Sequence, residues 1–304
     1  MLPSKAYPHL SWRPYFDIAI CYLLIAVAIV VANENQALYP LAALIIANRV
    51  LALSLLCHEG LHGSLFQKTK WNNLVGRWFC AFPTFISFSK YKKLHLLHHR
   101  LAGVDERDPD HHLYNFYPAS PVRFILRSFW ESLRLKTLFD FILYYTELPE
   151  LWAARSDLRS FFQKNKVQGD LLPFLGFHLV FICAAGIFGF FLQYILFFVI
   201  PVFFIKQPYV VLMGGLQHGP ISSGLSPEMK SRSIRGPKWL MEILLPLNIN
   251  FHGEHHLNSS VPHYWLRQYS QDLESSQQKL WTSTYGQAFR EMFTKHQSLD
   301  SIKT

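Results

Sequence analysis

The sequence predicts an all-α membrane fold, four transmembrane helices in two hairpins with a cytoplasmic helical cap that holds the metal site, and three observations predict it. Half of the 304 residues are hydrophobic and only 16% are charged, where soluble domains usually carry about a quarter. Long apolar runs come in pairs whose tips lack lysine and arginine, and the basic residues gather beyond the other ends of those pairs. Three short histidine clusters follow the apolar runs on that same basic side.

The first pair is expected at about 14–33 and 37–56, the first built on DIAICYLLIAVAIVVAN and joined to the second by ENQ. Each run is near the ~20 residues that a helix needs to cross a hydrocarbon core. The N-terminus MLPSKAYPHLSWRPYF has no basic region leading into a cleavable apolar core, so the first run is expected to be a retained anchor rather than a signal peptide. The second run carries Asn48 and Arg49, and a charge near the bilayer centre costs ~2.5 kcal/mol or more on insertion scales. Its helix is therefore expected to outgrow the membrane and lift His58 and His62 above the lipid.

The second pair is expected at about 171–190 and 191–210, with the uncharged tip Phe190–Gln193. Between Cys57 and Asp170 lie sixteen lysines and arginines, and the positive-inside rule puts this segment and both termini in the cytoplasm. The cap is then 57–170 with 211–304, and the whole chain is read as one domain. Segments 72–88, 121–145 and 237–247, with Trp78, Trp130 and Trp239, fit helices lying in the membrane interface or helices of the cap. Cys21, Cys57, Cys80 and Cys183 have no paired spacing and are expected in the core. The net charge of +9 is spread over loops, with no basic helix or stacking platform, so topology explains it and nucleic acid is excluded.

The clusters are His58 and His62 in HEGLH, His95, His98 and His99 in HLLHH, and His252, His255 and His256 in HGEHH. Spacings of i, i+3 and i, i+4 put imidazoles on one helix face, about a turn apart. Eight neutral nitrogen donors exceed what one metal uses, since zinc takes four ligands and mononuclear iron typically two histidines and a carboxylate. The count argues for two metals held close together. Alone, HEGLH also matches the HExxH pattern of zinc proteases, with Glu59 as base, but that reading leaves six histidines unused and expects a later Asp-Gly ligand pair, which the chain lacks. A transporter or receptor would want more ionisable residues within the spans than Arg49 and His178.

HEGLHGSLF, HLLHHRLAGVDERDPD and NFHGEHHLNSSVPHYWL resemble the three histidine boxes of the membrane fatty acid desaturase and hydroxylase family, from about Asn48 to Leu266. The third box is the most characteristic: Asn250, His252, His255, His256, Leu257, then Val261, Pro262, Tyr264 and Leu266. The resemblance implies a four-span fold, two iron ions, molecular oxygen as co-substrate, a lipid or acyl substrate, and electrons from a separate ferredoxin or cytochrome b5. It also implies a ninth ligand, and His218 in GGLQHGP sits where that ligand is expected. No catalytic residue beyond the metal ligands is expected.

Asp108, Asp110 and Asn250 are candidates to fix imidazole tautomers, as ligating histidines generally require, and Glu59 and Glu254 are expected to support the ligands from within the boxes. His111, His112 and His263 lie near the boxes without being expected ligands, and His178 is expected to pack within a span. The sequence contains no His-Pro-Gly-Gly haem segment, so the expected reductant is another protein. Lys90, Lys92, Lys93, Arg100 and Arg107 would suit an acidic ferredoxin, though positive-inside topology accounts for the same charges. The leading expectation is an oxygen-dependent acyl desaturase. A hydroxylase or ketolase acting on a fatty acid, sphingoid base or carotenoid stays open, because the boxes do not separate these outcomes.

Overall fold

The computed structural model describes residues 7–102, 108–110, 121–124, 126, 169–219 and 230–293. They belong to two compact units: a first of Ser11–Leu96 with Phe129–Pro208, and a second of Met1–Leu10, Leu97–Ser128 and Tyr209–Thr304. Among the described residues, three helices are long and apolar enough to cross a membrane: Arg13–Glu34 (α1), Gln36–His62, whose α-helical part is Tyr39–His62 (α2), and Phe191–His218 (α6).

In the first unit, α1 opens on Arg13–Pro14, a placement that costs proline nothing because first-turn N–H groups have no helical acceptor. A 3-10 turn at Gln36–Leu38, held by the Asn35 side chain on the Ala37 amide, reverses the chain into α2. The two helices meet through Ala28, Ala32 and Ala42, small residues that let backbones approach, with Ile46 and Val50 continuing the seam against Phe197 and Val202 of α6. Leu23, Val27 and Val30 of α1 point outward and are exposed. A helix this apolar on its outer face is suited to a hydrocarbon surround rather than water.

As expected, α2 stays helical past Asn48 and Arg49 as far as His62, and Arg49 turns its guanidinium onto the Asn48 side chain. Gly63, at φ 78°, ends the helix in the left-handed region, its N–H reaching the carbonyls of Glu59 and Gly60. The chain then winds through α3 (Thr69–Val75), a π-turn at Gly76–Ala81 and a 3-10 turn at Phe82–Thr84. Trp71, Leu74, Trp78 and Phe79 are exposed along it.

Gly60 of α2 and Gly76 pack around the buried ring of Phe88. A Cβ at Gly76 would stand 2.7 Å from a Phe88 ring carbon, closer than side chains tolerate. Gly76→Ala is therefore expected to destabilise the first unit by about 1–3 kcal/mol through overpacking. Thermal unfolding in detergent checks this, and an unchanged midpoint contradicts it.

Phe88 begins α4 (Phe88–Leu101), and the buried carboxylate of Asp170 anchors that start: it accepts from the hydroxyls of Ser87 (2.6 Å) and Ser89 (2.7 Å) and the amide of Ser89 (3.0 Å). A carboxylate there satisfies donors that the first turn leaves open and complements the helix dipole. Helix α5 (Leu171–Ile187) is apolar but 17 residues long, shorter than the expected 171–190, because Gly189 at φ 76° turns the chain. Within α5, His178 is buried among the rings of Phe85, Phe174 and Phe177. Cys183 corrects the expectation of a core residue, since it faces outward from α5 while Cys21, Cys57 and Cys80 are buried. The third long helix, α6, contains Pro201 and is π-wound over Ile195–Lys206. Proline cannot supply the i→i−4 hydrogen bond, and the wider winding falls on the segment that lacks it.

In the second unit, strands β1 (Ser233–Arg235) and β2 (Thr282–Thr284) pair in parallel. They are a small addition to a mostly helical chain. The strands are three residues each, too short to show period-two patterning in sequence. Helices α7 (Lys238–Leu244), α8 (His252–Leu257), α9 (Leu266–Ser275) and α10 (Tyr285–Glu291) complete it, the last with a Thr284–Gln287 capping box. Its core gathers Phe251, Leu257, Val261, Leu266, Tyr269 and Leu273 around Tyr7, whose hydroxyl donates to Asp272. Trp239 and Ile243 of α7 are exposed. Most of segment 121–145, with Trp130, and residues Arg107, His111 and His112 lie outside the described residues.

Candidate metal centre

Four imidazoles of the second unit converge. His98 lies at the end of α4, His218 is the last residue of α6, and His252 and His256 stand one turn apart on α8. One ligand nitrogen from each lies within 4.8 Å of all the others. The Nε2 atoms of His218 and His252 are 2.8 Å apart, those of His98 and His218 are 3.2 Å apart, and those of His252 and His256 are 3.1 Å apart.

The opposite ring nitrogens decide what such closeness means. His98 Nδ1 lies 2.9 and 3.0 Å from the two carboxylate oxygens of buried Asp108, so its N–H donates there. His218 Nδ1 lies 3.2 Å from the carbonyl of Lys230 and donates to it. Both N–H groups being spent, the two Nε2 atoms present lone pairs to each other at 3.2 Å, and neither neutral ring can donate to the other. A cation between them relieves that contact, and four converging nitrogens supply a full tetrahedral set or most of an octahedral one.

The electrostatics differ from ring to ring. Burial alone would lower the His98 pKa, but the hydrogen bond to Asp108 and the charges of Asp110 and Asp108 outweigh it and raise the pKa. His256 is held well below the usual histidine range, first by burial and then by His99, His252, His218 and His98 around it. It stays neutral, the form that binds metal.

Two more box histidines of this unit sit beside the four. His99 and His255 approach to 3.2 Å between Nε2 atoms, and His99 stacks on His256 at 4.0 Å. In the first unit, His58 and His62 of α2 and His95 of α4 form a separate trio, with ring centroids 4.4 to 5.0 Å apart. His58 and His95 are buried and His62 half-buried.

The carboxylates and the amide expected near the ligands divide by role. Asp108 holds His98, and Asp110 donates its amide to Asp108 while its carboxylate lies 3.7 Å from the His98 ring. Glu59 accepts from the Ser64 hydroxyl at 3.0 Å, tying down the turn after α2. Glu254 and Asn250 hold the segment before the box: the Glu254 carboxylate accepts from the side chains of Ser233 and, at 2.9 Å, Arg235, while the Asn250 amide donates to the Ile234 carbonyl at 3.0 Å. Asn250 therefore anchors a strand instead of accepting from an imidazole. His263 is buried and its carbonyl accepts from Asn248.

The sequence reading missed the strap Lys230–Arg235. Besides the Lys230 carbonyl on His218, Ser233 Oγ accepts from the amide of Gly253 inside the third box, and the Ile234 amide donates to the Asn250 carbonyl at 2.7 Å. Gly253 is required there, because a Cβ would stand 2.9 Å from Ser233 Oγ. The only signal in SRSIRG was its dense polarity just before the box.

Asp108→Asn removes the charge that holds the His98 N–H. It is expected to weaken metal retention by about 10–100-fold, the usual cost of losing a ligand's outer partner. Competition with a chelator after cobalt loading measures it, and parental retention contradicts the assigned role.

Comparisons with known proteins converge on one family. A family model described as "Fatty acid desaturase" matches residues 35–284. A curated relative, dihydrorhizobitoxine desaturase of Bradyrhizobium elkanii, is 27% identical over 247 residues, covering 78% of this chain and 67% of the relative.

Proposed function

The chain belongs to the fatty acid desaturase family, and from that membership we propose that it is an oxygen-dependent desaturase that places a double bond in a lipid or fatty acyl chain, using two histidine-held irons. The convergence of His98, His218, His252 and His256, two of them with their Nδ1 protons already committed, carries the proposal. The relative named above desaturates dihydrorhizobitoxine by its name, which supports the reaction class and leaves the substrate of this chain to experiment.

His98, His218, His252 and His256 would hold one iron. His58, His62 and His95, with His99 and His255, are the proposed ligands of the other, an assignment that follows the boxes and the i, i+4 placement of His95 and His99 on α4. With molecular oxygen and two electrons, the irons supply the power to remove two hydrogens from an alkyl chain, which no side chain possesses. Over the reaction oxygen is reduced to two waters, taking two hydrogens from the substrate and two electrons with two protons from the donor system.

The protein's share is to hold, orient and exclude. Asp108 and the Lys230 carbonyl keep protons on Nδ1 and so leave Nε2 of His98 and His218 for metal. The apolar helices hold the alkyl chain, at ~0.8 kcal/mol for each CH2 removed from water. We further propose that four spans cross the membrane, with the site and both termini on the cytoplasmic side and a separate ferredoxin or cytochrome b5 as donor. The protease reading of HEGLH accounts for none of the four convergent histidines of the second unit.

Lipid profiling of a host expressing the chain, against the same chain with His255→Ala, tests the function. A new double bond present only with the parent chain is expected. Added oxygen in place of a double bond would make the enzyme a hydroxylase or ketolase, and full activity in the variant would overturn the metal assignment.

A further inference from the structure

His218 differs from the other ligands in how it is supported. The box histidines have a ligand partner three or four residues away on the same helix, whereas His218 stands alone as the last residue of α6. Helix ends leave their carbonyls without partners and fray unless something holds them. Something must therefore fix His218 from outside.

We propose that Arg232 is the positioning residue for His218, an inference that rests on the metal reading above. Arg232 grips the peptides on both sides of the histidine. Its amide donates to the Gln217 carbonyl and its Nη2 to the Gly219 carbonyl, each at 2.6 Å. The Lys230 carbonyl two residues earlier takes the imidazole proton, so 217, 218 and 219 are each held by one short segment. The guanidinium is itself fixed, with Nη2 2.9 Å from Glu291 and the group lying 4.0 Å over the Trp281 ring.

The burial of Arg232 argues that the grip matters. Its side chain is completely buried, yet Nε and Nη1 have no hydrogen-bond partner among the described residues. Leaving buried donors unmade costs stability that an apolar residue of similar size would not. Packing alone therefore gives no reason for arginine here, whereas its polar contacts do, and of these the one to Gly219 reaches the residue beside His218.

Because the Arg232 amide survives any substitution, losing the side chain removes only half of the grip. The expected result is weaker retention of one metal, not an empty protein. After loading with ferrous iron, Arg232→Ala should release one iron to a chelator at least about tenfold faster than the parent, with the second iron released at the parental rate. Arg232→Lys and Arg232→Gln, each keeping an N–H for Gly219, should recover most of the retention. Glu291→Gln, which keeps an acceptor for Nη2, and Trp281→Leu leave the contact to Gly219 in place, so they should lower the thermal midpoint while speeding release far less than Arg232→Ala does, which separates positioning from stability.

Parental release in Arg232→Ala would overturn the inference, as would faster release in Glu291→Gln matching that of Arg232→Ala. Should Arg232→Ala not fold, the lysine and glutamine variants decide: release from both faster than from Glu291→Gln would also overturn it. A parent chain that retains no iron would instead sink the functional reading, and this inference with it.

Discussion

Replacing His256 with alanine is expected to abolish product formation while leaving the protein folded. His256 lies at the centre of the convergent histidines, its ring 4.0 Å from His99, 4.6 Å from His252 and 4.9 Å from His218. Loss of a ligand should exceed the roughly 10–100-fold that losing an outer partner costs, so one of the two irons should no longer survive gel filtration. The fold should tolerate the change, because His256 is only half-buried and the ring contacts named for it are with other imidazoles rather than with the apolar core. Iron content, product analysis and the thermal midpoint of the apo-protein check the three parts. An active His256→Ala enzyme would show that the ring is only a neighbour of the site.

The second large effect is on stability. Glu254→Ala is expected to cost about 3 kcal/mol, because it strips the strap of its buried anchor. The carboxylate is completely buried between Ser233 and Arg235, and the strap it holds carries the Lys230 carbonyl and the amide of Ile234. Removing it leaves Arg235, about a third exposed, to find water, which keeps the cost near the lower end of the range for a broken buried pair. Glu254→Gln retains an acceptor and should cost nearer 1 kcal/mol. Thermal unfolding separates the two variants. Equal midpoints for Glu254→Ala and the parent would mean that the strap is held by its backbone bonds alone.

Much of this architecture was legible because its signals are dense and local. Apolar runs of membrane length need no tertiary information, and the path of α2 through Arg49 to His62 followed from one charge in one helix. Histidines a helical turn apart announce ligands without an alignment, and Asp108 was legible from its closeness in sequence to the second box.

What was not legible depends on contacts distant in sequence. The strap is six mostly polar residues that acquire meaning only when His218, 12 residues earlier, and the third box, about 20 residues later, fold onto them. Arg232 reads as one more basic residue until its carbonyl partners are seen. Asp170, 81 residues from Ser89 in sequence, anchors α4. Strands of three residues carry no periodicity, so β1 and β2 escaped a reading based on period. The shortening of α5 turns on the backbone angle of Gly189, which a hydropathy run does not show.

The central claim is that the histidines of this chain hold two irons that act together. Iron analysis joined to Mössbauer spectroscopy, on protein loaded with ferrous iron under anaerobic conditions and passed through gel filtration, tests it most directly. Two irons per chain, with the spectra of a coupled pair after oxidation, are expected, falling to one in His256→Ala. A single iron per chain, or two that remain magnetically independent in an active enzyme, would contradict it.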